Sequence, residues 1–192
     1  SLIRHMWFDL FQIAEDTPLG DAERMCEESF LALRTPGSPC SHEEAAHILG
    51  LLVGLPFKDS PYIGAMRQDP AQVRGRAFVV SRELLADLRA SHPVIFLLED
   101  LQWADSASWD YLLEVALDRS ACEHGLLAIA TARPDWNPPQ ALLEHPAFEP
   151  INLSSLPESA SHELILDLLQ RVKGVPADLL DRIVERSEGV PY

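Results

Sequence analysis

The chain has 192 residues, of which 47% are hydrophobic and 23% charged, and it carries a formal charge of −15. That length is enough to bury a sizeable core, and the hydrophobic share argues against overall disorder. The acidic excess disfavours direct contact with nucleic acid, which needs clustered Lys and Arg to displace counterions from the phosphate backbone.

The opening LIRHMWFDLFQIA places Leu2, Met6, Leu10 and Ile13 at helical spacing, with Trp7 and Phe11 alongside, and predicts an amphipathic helix. A weaker helical stretch follows around Met25 to Leu33 and is expected to end in the turn-forming TPGSP of residues 35–39. Ser41 with Glu44 three residues later forms a capping-box pattern. It predicts a helix through His47, Ile48, Leu51 and Leu52, stopped by Gly54 and Pro56. Residues 1–65 therefore read as a helical segment.

Asp69 followed by Pro70 is an N-cap with a favoured first-turn proline, and Val73, Ala77, Val80, Leu84 and Leu88 extend the helix to about Ala90. VIFLL, residues 94–98, has no polar alternation and predicts a strand covered on both faces in a parallel sheet. Asp105 or Ser106 can cap a helix whose face is Trp109, Leu112, Leu113, Ala116 and Leu117. Gly125 then releases the chain into the apolar run LLAIATA. Strand, helix, strand makes a βαβ unit. A third short strand is expected at Phe148 to Leu153. Two more helices are expected, one around His162 to Val172 ending at Gly174, the other from Ala177 to Ser187 ending at Gly189. No stretch nears the roughly 20 apolar residues of a membrane span and no signal-peptide pattern opens the chain, so a cytoplasmic protein without membrane contact is expected.

In open parallel sheets, ligands bind beyond the carboxyl ends of the strands. Both apolar runs end there in polar residues, Glu99 and Asp100 on the first, Thr131 and Arg133 on the second. An apolar strand closing on two acids has the form of a Walker B element. Magnesium keeps most of its waters and needs only one or two carboxylates beside the nucleotide phosphates, while an adjacent acid can polarise the attacking water. A solvated strand end looks the same, and Arg133 could pair with Asp135 instead, so the surrounding residues decide.

LLEDLQWADSASWDYLLEVAL followed by LLAIATARPDW resembles the AAA-like ATPase module of STAND-class signalling NTPases. That module occurs in large LuxR-type transcriptional regulators and in multidomain nucleotide cyclases and protein kinases. The tail ERSEGVPY resembles the GxP element of the helical domain in the same class. The resemblance runs from about Ile48 to Tyr192. It implies an α/β fold with a partial P-loop NTPase core: a parallel sheet of three strands flanked by helices over residues 66–153, after the helical segment 1–65, with a helical lid starting at residues 154–192. It also implies Glu99 as the magnesium-side acid and Asp100 as the acid that polarises water. Arg133 takes the sensor position for the γ-phosphate, and Gly189 and Pro191 belong to the element near the adenine. The implied cofactors are Mg2+ and ATP in a parent protein with fused output and helical-repeat domains.

The departures are specific. No GxxxxGK[ST] loop occurs, since Lys58 and Lys173 are the only lysines and neither follows such a loop. The acids also stand in the order Glu then Asp, where AAA enzymes commonly have Asp then Glu. The resemblance therefore implies the part of the module C-terminal to its P-loop, with no ATP hydrolysis expected of the chain alone. The alternative is a scaffolding module descended from an NTPase. Without its P-loop strand, the strand ending at Arg133 would have an unpaired edge, from which self-association, a shifted third strand or poor solubility is expected. Elsewhere the readings are plain. Cys26, Cys40 and Cys122 suggest neither disulfides nor a zinc ribbon, no histidine has HExxH spacing, Ser106 and Ser108 lack a nucleophile elbow, and Trp103 and Trp109 read as packing anchors.

Overall fold

The computed structural model describes residues 1–34, 40–117, 125–169 and 176–191. Cys122, the turn expected at 35–39 and the helix stop expected at Gly174 lie outside them. The chain divides into two compact units, Ser1–Phe148 and Glu149–Tyr192.

The first unit begins with α1 (Leu2–Leu10), α2 (Leu19–Leu33) and α3 (His42–Leu52), followed by the long α4 (Pro70–Ser91). The caps foreseen from the sequence form. Ser41 Oγ accepts the Glu44 N–H at 3.1 Å, and Asp69 Oδ1 accepts those of Ala71 and Gln72 at 3.1 and 3.2 Å. The apolar face of α1 differs from expectation: Ile3, Trp7, Phe8, Phe11 and Ile13 are buried, whereas Leu10 is exposed. Large aromatic rings offer the most area to bury and set the rotation of the helix. The helix ends because Gln12 takes a left-handed conformation, φ 56°.

These helices share one core with the segment between α3 and α4, including Cys26, Phe30, Ile48, Leu49, Leu55, Ile63 and Leu84. Polar bonds stitch it. His47 lies between α2 and the loop after α3, with Nδ1 2.6 Å from Ser60 Oγ, Nε2 2.7 Å from Glu27 Oε1, and its ring stacked on Phe57 at 4.2 Å. A carboxylate only accepts, so Nε2 donates to Glu27 and, in the neutral ring, Nδ1 accepts the Ser60 hydroxyl. Arg34, its side chain fully buried, donates to Glu83 at 2.6 Å and ties the end of α2 to α4.

α4 leads into β1 (Val94–Leu98), then α5 (Ser106–Tyr111), which widens into a π-helical turn over Leu112–Ala116, then β2 (Leu126–Ala130). The α5 and π stretch is buried on two sides. Tyr111 and Val115 join the helical core, while Leu112 and Ala116 pack in a second cluster with Leu98 and Leu101. The strands pair in parallel, Val94 with Leu126 through Leu98 with Ala130. The βαβ unit expected from the sequence is present, in a mixed α/β fold.

Two expectations for the sheet fail. Among the described residues it has two strands, not three, because residues 151–157 form no regular structure and Ile151 and Leu153 are exposed. Pro150, inside the expected strand, has no N–H to give a ladder. Nor is the pair covered on both faces. Phe96 and Leu98 pack inward, while Ile95, Leu97, Leu127 and Ile129 are 58%, 71%, 52% and 50% exposed. An unbroken apolar run records what a strand can bury, and here helices cover one side.

The second unit holds α7 (Glu158–Leu168) and α8 (Ala177–Ser187), with Leu180 and Val184 buried; the short α6 (Gln140–Leu143) belongs to the first unit. Among the described residues no helix is long and apolar enough to cross a membrane.

The indole N–H of Trp7 donates to the Tyr111 hydroxyl at 2.8 Å inside the core, joining α1 to α5. Tyr111→Phe leaves that donor buried without an acceptor and is expected to cost about 1–3 kcal/mol in denaturant unfolding. Trp7→Phe should then cost less in the Tyr111→Phe background than alone, and equal costs would show that the bond contributes nothing. Burial also pushes the Tyr111 hydroxyl above its ordinary pKa. Its contribution is therefore complete below the unfolded value of ~10 and lost as the pH rises beyond it, which alkaline unfolding monitored by tyrosine absorbance checks.

Candidate functional site at the strand ends

Parallel pairing carries the two polar strand ends to one rim. The Thr131 N–H donates to Leu98 O and the Leu101 N–H to Thr131 O, both at 2.9 Å, so the pairing continues one step beyond the regular strands. There Asp100 turns the chain with a left-handed backbone, φ 55° and ψ 46°. Aspartate is among the few residues other than glycine that visit this region readily. The turn sends the chain into a short 3-10 stretch, Leu101–Trp103, rather than on into the strand direction.

Side chains then cross-link the two exits. The Asp100 N–H donates to Thr131 Oγ1 at 3.2 Å. The carboxamide of Gln102 donates from Nε2 to Asp100 Oδ1 at 2.9 Å, and its Oε1 accepts the Arg133 N–H at 3.2 Å. The amide can sit only one way round, since a carboxylate accepts and a backbone N–H donates. The Arg133 guanidinium lies over the Trp103 ring, 5.3 Å from its centroid, in a cation–π contact.

Glu99, Asp100 and Arg133 are all exposed and occupy adjacent strand exits, as the sequence suggested. Glu99 makes no ion pair or hydrogen bond among the described residues. Arg133 forms no ion pair with Asp135 there; its partner is Trp103. That tryptophan is 71% exposed and is no packing anchor. Trp109 is one: it packs against the second cluster and stacks on Trp136, centroids 5.5 Å apart. Gln102 was not singled out from the sequence. Its position two residues after an acid at a strand end is the only local signal, and its partner Arg133 is 31 residues away.

Asp105, not Ser106, caps α5, accepting the Ser108 N–H at 2.7 Å. That bond holds its carboxyl below the usual aspartate pKa. Among the described residues no group of three or more His, Cys, Asp or Glu side chains could hold a metal ion unaided. A hollow of about 120 Å³ lined by Cys40, Glu44, Arg76, Val79, Val80 and Glu83 lies against α3 and α4 and includes no strand-end residue.

Gly189 and Pro191 lie in the second unit, after α8. Glu188 and Gly189 take successive left-handed conformations, φ 49° and 76°. Gly189 O accepts the Leu156 N–H at 2.7 Å, and a Cβ on Gly189 would stand 2.5 Å from Leu156 O. The glycine thus lets the end of α8 clasp residues 155–156, a structural role sufficient to explain it.

Comparison of the chain with protein-family models, with curated proteins and with solved structures finds no match.

Asp105→Ala is expected to cost about 1 kcal/mol at neutral pH. Because the folded pKa is depressed, the cap contributes above the unfolded value of ~4 and is lost as the pH falls through the folded one. The wild type and variant should therefore converge in acid unfolding curves, and a constant gap would exclude the capping bond as the cause. Gly189→Ala should loosen the second unit by more than ~1 kcal/mol, since both backbone and space exclude a side chain. Faster amide exchange around residues 155–156 is the readout, and unchanged exchange would contradict the clasp.

Proposed function

We propose that this chain is a piece, C-terminal to the P-loop, of an ATP-dependent signalling switch module of the STAND class that regulates fused output and helical-repeat domains. The observation that carries the reading is the cross-linked rim: an acid, Asp100, and a cation-bearing segment, Arg133, held together at the carboxyl ends of adjacent parallel strands. Open parallel sheets bind ligands at that place.

The donor set suits magnesium better than it suits a whole nucleotide. Exposed Glu99 offers a carboxylate of the kind Mg2+ needs beside phosphates and water, while Asp100 Oδ2, which takes no hydrogen bond among the described residues, is left for a water. When bound, the ion would neutralise phosphate charge. In this reading Asp100 orients a water for attack and Arg133 reaches for the terminal phosphate. The phosphates themselves would lie in a GxxxxGK[ST] loop outside these 192 residues. The helices after residue 154 would serve as the lid whose packing answers to nucleotide state.

A second reading, a non-catalytic interaction module, is favoured by the exposed apolar sheet face of Ile95, Leu97, Leu127 and Ile129. The two readings separate in a protein extended upstream to any phosphate loop. The switch predicts ATP binding and a hydrolysis rate that falls by roughly 10²-fold or more in Asp100→Asn, with Glu99→Gln raising the Mg2+ concentration that the reaction needs. The 192-residue chain alone should hydrolyse no ATP. Absence of ATP binding by the extended protein would rule out the switch, and turnover by the isolated chain that vanishes in Glu99→Gln would refute its dependence on an external loop.

A further inference from the structure

Two groups with opposite duties in the proposed site, the Asp100 carboxylate and the Arg133 segment, do not touch directly. They are joined through one side chain. Gln102 spends its donor on Asp100 Oδ1 and its acceptor on the Arg133 N–H, at 2.9 and 3.2 Å. It reaches both because Asp100 adopts a left-handed turn and the 3-10 stretch brings residue 102 back over the strand exits. A carboxylate offers about four lone-pair sites, so this one bond orients the acid without using it up, leaving Oδ2 for water or a cation. On the other side the bond holds the backbone of Arg133, whose guanidinium rests over the exposed Trp103 ring.

We propose that Gln102 is a positioning residue that couples the state of the Asp100 carboxylate to the placement of Arg133, with Trp103 as the perch from which an oxyanion ligand recruits the guanidinium. The physical basis is the chain of hydrogen bonds itself. A carboxylate draws the Gln102 N–H more strongly than a neutral acceptor does, and this polarises the amide oxygen towards the Arg133 N–H. Removing the charge by substitution, or engaging the carboxylate with a cation, weakens both bonds together. The cation–π contact at an exposed ring amounts to about 0.5–1 kcal/mol, small enough for a phosphate oxygen to displace. Acid and cation would then respond to a ligand as one device. The inference rests on the proposed nucleotide site for its purpose, whereas the coupling rests on the hydrogen bonds alone.

The test uses the chain with 15N label and follows the Arg133 backbone amide and Nε–H by NMR. Asp100→Asn removes the charge but keeps the shape, and it should shift the Arg133 amide clearly. In a Gln102→Ala background the same substitution should leave that amide as still as amides distant from the rim. A merely structural Gln102 would not abolish this transmission, so equal shifts in the two backgrounds overturn the proposal. Gln102→Met provides a second variant of similar length and volume. It can neither donate to Asp100 nor accept the Arg133 N–H and should break the same transmission, and if transmission survives there the proposal also fails. Magnesium pyrophosphate then probes the perch. Movement of the Arg133 Nε–H away from the ring-shifted position supports recruitment, and Trp103→Ala should remove the ring shift at the outset. If the transmission holds but pyrophosphate moves nothing, the recruitment half of the proposal falls while the Asp100–Gln102–Arg133 coupling stands, and the nucleotide reading is decided separately by ATP binding of the extended protein.

Discussion

Parallel pairing of Val94–Leu98 with Leu126–Ala130 is the constraint on which the rim depends. Parallel strands leave the sheet in the same direction, so whatever follows each one arrives at the same edge. Had the strands been antiparallel, Asp100 and Arg133 would stand at opposite ends of the pair, about 17 Å apart for five-residue strands. In-register pairing instead lets the Thr131 N–H bond to Leu98 O and the Leu101 N–H to Thr131 O, and from those two bonds the contacts of Asp100, Gln102 and Arg133 follow.

A two-stranded sheet cannot hold itself in water, and the helical portion supplies what it lacks. Phe96 packs against both clusters, Leu98 sits in the second, and the stretch from Tyr111 to Ala116 is buried on two sides between them. The helical core is in turn locked by polar side chains at its seams: Trp7 to Tyr111, His47 between Glu27 and Ser60, and Arg34 to Glu83. Buried groups of this kind add modest net stability when paired, but leaving one unpaired is costly, so they fix which helix meets which. The rim is built the opposite way, from exposed side chains in contact with water, and such groups can change partners at small cost.

What was legible in the sequence was local. Helix starts at Ser41 and Asp69 were readable because a cap and the N–H groups it serves lie within three residues of one another. The two apolar runs were readable as strands, and Glu99, Asp100 and Arg133 as strand-end residues, because length and punctuation suffice. The failures share a cause. The expected third strand at Phe148–Leu153 weighed apolar content above the missing N–H of Pro150. The size of Trp103 predicts an anchor, although its surroundings leave the ring in water. The role of Gln102 depends on a partner 31 residues away and so has no local pattern.

The sequence by itself determined the caps, the βαβ order and the presence of acids and an arginine at strand exits, since each follows from neighbours along the chain. Tertiary structure alone decided that β1 and β2 pair in register, that among the described residues of the first unit only one face of the sheet is covered, and that aromatic residues rather than Leu10 turn α1 inward. It also decided that a single carboxamide joins Asp100 to Arg133. These outcomes depend on which surfaces meet, and a pattern of apolar and polar residues specifies how much can be buried without specifying against what.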